Sequence, residues 1–346
     1  MVGLSNVFVM LKKTTLLIAI AVLVVLIIIV GGVTMLYQQG VQNEPGADFS
    51  WSYTLHYEIA RTGNETSPAT GDELWNYLTG KSVESSCTVI DGIVYFGSHD
   101  HNVYALDAAT GSKKWSFATN GEVYSTPAVV DGVVYVGSRD KNLYALDVET
   151  GNEIWHYATS NSVYSSPAIV NGVVYVNSYD TAYAVDAATG KEKWNFYAWG
   201  PLYSSSAVVN GKVYFGASNT VYALDAANGR KIWNYTTGNR VESSPAVANN
   251  VVYIGSNDYN LYALDAVSGG KIWNCTTGNE VNGSPTVTKD TVYFGSKDGN
   301  IYALNSSTGM KIWSYKTGNW IESTPSVAND VLYIGSNDAK VYAFGT

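Results

Sequence analysis

The sequence predicts an all-β protein, a seven-bladed β-propeller of four-stranded antiparallel blades, preceded by one N-terminal transmembrane helix. Three observations carry this. Trp75, Trp115, Trp155, Trp194, Trp233, Trp273 and Trp313 recur at intervals of 39 or 40 residues. Between them the same four short β-branched and aromatic runs repeat, bounded by Gly, Asn or Asp, and no helical period appears. One long uncharged apolar stretch stands at the N-terminus and is not matched again.

That stretch runs from about Leu16 to Leu36 behind Lys12 and Lys13. Roughly 20 helical residues span the ~30 Å of a bilayer core. The run is longer than a cleavable signal's apolar region and has no A-x-A site. It reads as an uncleaved signal anchor over residues 14–36, with residues 1–13 cytoplasmic because the two lysines stay inside. Residues 37–49 are polar, without periodicity, and read as a tether. The rest, 50–346, is then an extracytoplasmic propeller domain on a single-pass membrane protein, and sequons at Asn64, Asn234, Asn274, Asn282 and Asn305 suit a glycoprotein on the cell surface.

The repeat explains the composition. The chain holds 33 Gly, 27 Tyr and 10 Trp, with only 14% charged residues, so it folds rather than remaining disordered. Each repeat offers an S-S-P-A-V-like strand (Ser165 to Ile169), a V-V-Y-x-G-S strand (Val133 to Ser138), a Y-A-L-D strand (Tyr144 to Asp147) and a Trp strand. A lone sheet of this kind cannot bury both faces; seven packed radially can. Ala105 to Trp115 reads A-x-D-x-x-T-G-x-x-x-W, and it recurs from Asp147, Asp186, Asp225, Asp265 and Asn305. Asp bonds amides ahead of it, Gly accepts positive φ, and each indole is expected to dock on the neighbouring blade.

On these motifs the chain resembles the PQQ-like (pyrroloquinoline-quinone repeat, BamB-like) β-propeller family, with its tryptophan-docking motif, over residues 50–346. The lead-in from Trp51 to Arg61-Thr62-Gly63 is similar too. The resemblance implies the fold. It also brings in two activities: quinoprotein dehydrogenases that bind PQQ and calcium, and BamB-like envelope assembly factors. The dehydrogenases carry eight blades, long insertions, calcium ligands and often adjacent cysteines. This chain has seven compact repeats and no Cys-Cys pair. Neither PQQ nor calcium is therefore expected, and the chain is read as a non-enzyme.

The last repeat ends at Thr346 without a Trp strand, whereas the Trp75 strand has no inner strands before it. The N-terminal strand near 72–78 is expected to complete the last blade and close the ring, removing an open edge.

A net charge of −9 excludes a nucleic-acid footprint. No G-x-S-x-G or H-E-x-x-H occurs, and Gly80-Lys81-Ser82 lacks the leading Gly of a phosphate loop. Ser-Ser pairs recur in nearly every blade, so none is a singular nucleophile. Where the repeats differ is more informative. The residue before each Ser-Ser-like pair is Glu84, Tyr124, Tyr164, Tyr203, Glu242, Asn282 and Glu322, which makes an aromatic arc and an acidic arc around one lip. Trp199 and Trp320 lie in loops on the same face. His99, His101, Arg139 and Lys141 form its most basic spot. This lip is the candidate binding rim for an unidentified protein or polysaccharide partner.

Overall fold

The computed structural model describes residues 73–328 and 330–346. The expected signal anchor (14–36), tether (37–49) and lead-in lie outside the described residues. Among the described residues there is no helix, and so none long and apolar enough to cross a membrane.

The described chain forms 27 strands in seven antiparallel sheets. The first is typical, with strands Thr88–Ile90, Ile93–Gly97, Asn102–Asp107 and Lys113–Ala118 in sequential order. Its second and third strands are buried on both faces, because each sheet is sandwiched between two others. Such strands read as near-continuous apolar runs, V-Y-F-G and V-Y-A-L here. The outermost strand alternates between exposed and half-buried residues, and its Trp115 is turned inward. A bulge where Ala105 pairs Trp115 but Leu106 pairs Lys113 sharpens the bend beside the Trp, and the same irregularity recurs in the other four-stranded sheets.

The docking geometry follows from the A-x-D-x-x-T-G-x-x-x-W turn. Asp107 Oδ1 accepts from the Thr110 amide and hydroxyl, and the Gly111 amide donates to Asp107 O. These bonds hold Gly111 at φ +69°. The indole of Trp75 lies over it, and Trp75 Nε1–H donates to Ala108 O at 2.9 Å. The pattern repeats from Trp115 to Val148 O, Trp155 to Ala187 O, Trp194 to Ala226 O, Trp233 to Ala266 O and Trp273 to Ser306 O. Four of these carbonyls also accept a tyrosine hydroxyl, from Tyr135, Tyr175, Tyr214 and Tyr253. Both lone pairs are thus used at the boundary between sheets. Trp313 packs instead on Phe344, ring centroids 5.2 Å apart. Removing one such indole should cost about 3–5 kcal/mol.

Nearer the axis, a belt of hydroxyls ties the sheets together. The Ser86 amide donates to Thr126 Oγ1, Thr126 to Ser166 Oγ, Ser166 to Ser205 Oγ, Ser205 to Ser244 Oγ and Ser244 to Ser284 Oγ, at 2.9–3.1 Å. The first hydroxyl of each pair serves its own sheet, as Ser125 Oγ does for the Gly137 amide. The Ser-Ser runs are structural hydrogen-bonding units.

The seventh sheet differs. It has three strands, Ser326–Ala328, Val331–Ser336 and Lys340–Gly345. No fourth strand joins it among the described residues, and residues 73–79 are not in a strand. They lie against the first sheet, where Trp75 docks and Tyr77 packs edge-on to Tyr104. The expected strand pairing near 72–78 is therefore absent from the described hydrogen-bond pattern. Its consequence is exposed apolar surface. Tyr333 is 43% exposed, whereas its six counterparts from Tyr95 to Tyr293 are buried, and Val341 is 75% exposed.

Candidate binding rim

Two loops from each repeat build the rim. One is the segment that leaves an outermost strand and enters the next sheet. The other is the tight hairpin between second and third strands. Hydrogen bonds lock them together: the Arg139 amide donates to Glu122 O, Lys297 to Glu280 O, and Asn257 to Arg240 O. The hairpin aspartates fasten the same joint. Asp258 Oδ2 accepts from the Gly238 amide and the Tyr262 hydroxyl, while Oδ1 caps Asn260. Burial alone would raise the Asp258 carboxyl. The bonds from Tyr262, Asn260 and Gly238 outweigh it and hold the carboxyl below its ordinary range. Asp298 behaves the same way with Tyr302 and Gly278. These carboxylates are occupied within their turns. No three His, Cys, Asp or Glu side chains converge to hold a metal among the described residues.

The three predicted rim tyrosines do form one arc. Tyr124 and Tyr164 have centroids 5.6 Å apart, and Tyr164 and Tyr203 5.8 Å. Tyr179, which the sequence did not single out, extends the arc edge-on to Tyr203 at 5.8 Å. Arg139 lies over Tyr124 and Tyr164, 5.7 and 5.5 Å from their centroids, and is held there by Glu122. Its hydrogen bond draws Glu122 well below the usual carboxylate value. Burial pushes the Tyr124 hydroxyl up, and the charges of Glu122 and Glu84 add to that.

The acidic arc makes three separate sets of contacts. Asn282 Nδ2 donates to Glu242 Oε2 at 2.8 Å. Lys297 bridges Glu280 and Glu322, at 2.9 and 3.1 Å. Burial would lower the Lys297 ammonium, but the two carboxylates outweigh it and raise it. Lys297 Nζ also stands 5.8 Å from the centroid of Trp320, which is 46% exposed. Glu84 lies 3.7 Å from the His99 ring, and that ring packs on Tyr124 at 4.1 Å. Trp199 is 82% exposed, but its recorded ring contact is Tyr197 at the end of an outermost strand, not the tyrosine arc.

Sequence reasoning missed one regular feature. Beyond His99 and Arg139, the residue after the hairpin Ser also touches the rim at Tyr179, Lys297 and Asn337, and Asn257 is their counterpart in the fifth sheet. His99 meets Glu84 and Tyr124, Arg139 meets Tyr124 and Tyr164, and Asn337 bonds Glu322. The signal was available, because this position varies while the Ser before it and the Asp after it do not.

The matching family is described as "Outer membrane protein assembly factor BamB", and it covers residues 64–197 and 178–346. The chain belongs to this family. Among solved structures, the BamB-type propeller here is similar to BamB from Moraxella catarrhalis, with TM-score 0.68 and 22% identity over 79% of this chain and 88% of that one. It is also similar to a europium-containing methanol dehydrogenase, with TM-score 0.62 and 15% identity over 78% and 76% of the two chains. The computationally designed Ika8 protein matches with TM-score 0.52 and 15% identity over 78% and 97%. No curated protein sequence matches significantly. At these identities the structural matches establish a BamB-type β-propeller fold, and the chemistry has to be argued from the rim.

Proposed function

We propose that this BamB-type propeller is a non-catalytic binding or scaffold module, anchored in the membrane with its blades on the extracytoplasmic side, and that its partner is a protein that docks on the rim. The contrast between belt and rim carries the reading. Ser and Thr at the belt are nearly invariant from sheet to sheet, and their roles are spent on holding sheets together. The adjoining rim residues differ around the ring: three tyrosines join into one arc, and the acidic residues form separate linked sets, one of them beside the exposed Trp320. Exposed aromatic rings beside fixed charges are the usual anchors of protein recognition. The family's description as a protein assembly factor supports a protein partner over a polysaccharide.

The likeness to a methanol dehydrogenase favours a second reading, a PQQ- and calcium-dependent oxidoreductase. The described residues do not fit it, since no trio of metal-ligating acidic or imidazole side chains converges. Tyr203→Ala and Trp320→Ala test the first reading. Each should abolish partner capture in cross-linked native membranes while thermal unfolding stays unchanged. Undiminished capture by both variants would refute it.

A further inference from the structure

The side chain after each hairpin Ser fills the interval between two neighbouring rim residues. At two of the intervals that a rim carboxylate borders, the protein supplies its own cation or imidazole. His99 stands beside Glu84, Lys297 beside Glu322, and in the adjoining loop Arg139 holds Glu122. The fifth sheet supplies neither. There the position is Asn257, and the repeat sets it between Glu242 and Asn282. Among the described residues Glu242 makes no ion pair.

The hydrogen-bond inventory of this interval is one-sided. Asn257 is only 9% exposed, and its Oδ1 is buried with no donor. Asn282 spends its amide on Glu242 Oε2 at 2.8 Å, which fixes its orientation and leaves its own Oδ1 buried without a donor. The next rim residue on the other side of Glu242 is Tyr203, 38% exposed. Burial raises its hydroxyl, with the charge of Glu242 among the smaller causes. Two orphan amide oxygens, a carboxylate without an ion pair and an accessible tyrosine ring therefore occupy neighbouring positions of the repeat. They offer acceptors and a π face, and they lack donors and positive charge.

We infer that this sector, carried by the fourth to sixth sheets, is a subsite for an organic cation, namely a lysine or arginine side chain of the docked protein. The inference rests on the rim being the docking surface. An ammonium brings three donors and no acceptor, and a guanidinium five. Either would satisfy both orphan oxygens, neutralise Glu242 and lie against Tyr203. A neutral hydroxyl would leave the carboxylate without a counter-charge.

The test uses the full chain in detergent with n-butylammonium chloride, ethylguanidinium chloride and n-butanol as probes, followed by saturation-transfer NMR. Both cations should bind saturably and n-butanol should not. Glu242→Gln and Asn257→Leu should each weaken cation binding about tenfold or more, with the thermal transition retained. Ile154→Thr, on the exposed outermost strand of the second sheet and away from the rim, should leave it unchanged. Three outcomes overturn the subsite: equal signals from butylammonium and butanol, no change in Glu242→Gln, or displacement of the probe by equimolar calcium chloride, which would mark a metal site. If the cations fail while Trp320→Ala still abolishes partner capture, the subsite falls and the docking rim stands. If both fail, the rim falls with it.

Discussion

Gly190 lies directly beneath the indole of Trp155, and a Cβ placed on it would meet the ring at 2.8 Å. The glycine is held at φ +69°, so it is required twice, once by its backbone and once by its neighbour. The same contact recurs between Trp75 and Gly111, Trp115 and Gly151, Trp194 and Gly229, Trp233 and Gly269, and Trp273 and Gly309. This is why a glycine precedes each Trp strand at the same place in the turn, and why glycine and tryptophan are abundant together.

Gly190→Ala should therefore destabilise the propeller by about 2–4 kcal/mol, the combined scale of left-handed strain and overpacking. Trp155→Ala should cost about 3–5 kcal/mol. The double variant should lose less than the sum, because removing the indole relieves the clash. Chemical denaturation of the three variants measures this. Strict additivity would show that the two residues do not act through their contact.

Acid stability should follow the hairpin aspartates. The Asp258 and Asp298 carboxyls sit below their ordinary value of 3.8 because hydrogen bonds from Tyr262 and Tyr302, with nearby amides, outweigh the effect of burial. A carboxyl depressed in the folded state contributes stability that is fully present above its unfolded value. That contribution disappears as pH falls through the lower folded-state value. Unfolding free energy should thus decline below about pH 4, with a shallower decline in Asp258→Asn and Asp298→Asn. Identical acid limbs in wild type and both variants would exclude these groups.

Much of the scaffold was legible because it is written seven times. Each Trp, each Asp-to-Gly turn and each Ser-Ser pair could be compared with its own copies, so the all-β reading and the sheet boundaries followed from spacing. The rim was half legible. Tyr124, Tyr164 and Tyr203 were found as departures from the repeat, whereas Tyr179, Asn257 and Lys297 were passed over as turn residues. Linear spacing gives the position of a turn but not how far its side chain reaches toward the next sheet. Trp199 shares a loop with Tyr203, and its ring contact is with Tyr197.

Ring closure can be tested from the repeat's own register. Ala105 pairs Trp115 and Tyr104 pairs Ser116 in the first sheet. The same register would set Ala343 opposite Trp75 and Tyr342 opposite Asn76. Seven Trp strands and seven three-strand inner sets match one to one, so pairing them leaves no open edge. With Cys87 and Cys275 replaced by Ser, Asn76→Cys and Tyr342→Cys together should form an intramolecular disulfide under mild oxidation and raise the melting temperature. Persistent free thiols in that variant would mean the edge of Lys340–Gly345 is not covered by this strand.

The binding and dehydrogenase readings part over one assay, and the binding reading predicts the negative result. Purified chain incubated with pyrroloquinoline quinone and calcium should show no bound-quinone absorption band and no dye-linked alcohol oxidation. A stoichiometric band with turnover would establish the enzyme and displace the binding role.

The most direct measurement of the central claim is site-specific photo-cross-linking in native membranes. A photoreactive phenylalanine, which keeps an aromatic ring in place, would replace Tyr203 on the rim or, as a control, the exposed Ile272 on an outermost strand. The account predicts a discrete protein adduct from position 203, lost when Trp320→Ala is added, and none from position 272. An adduct from position 272 alone, or one from position 203 that survives Trp320→Ala undiminished, would contradict it.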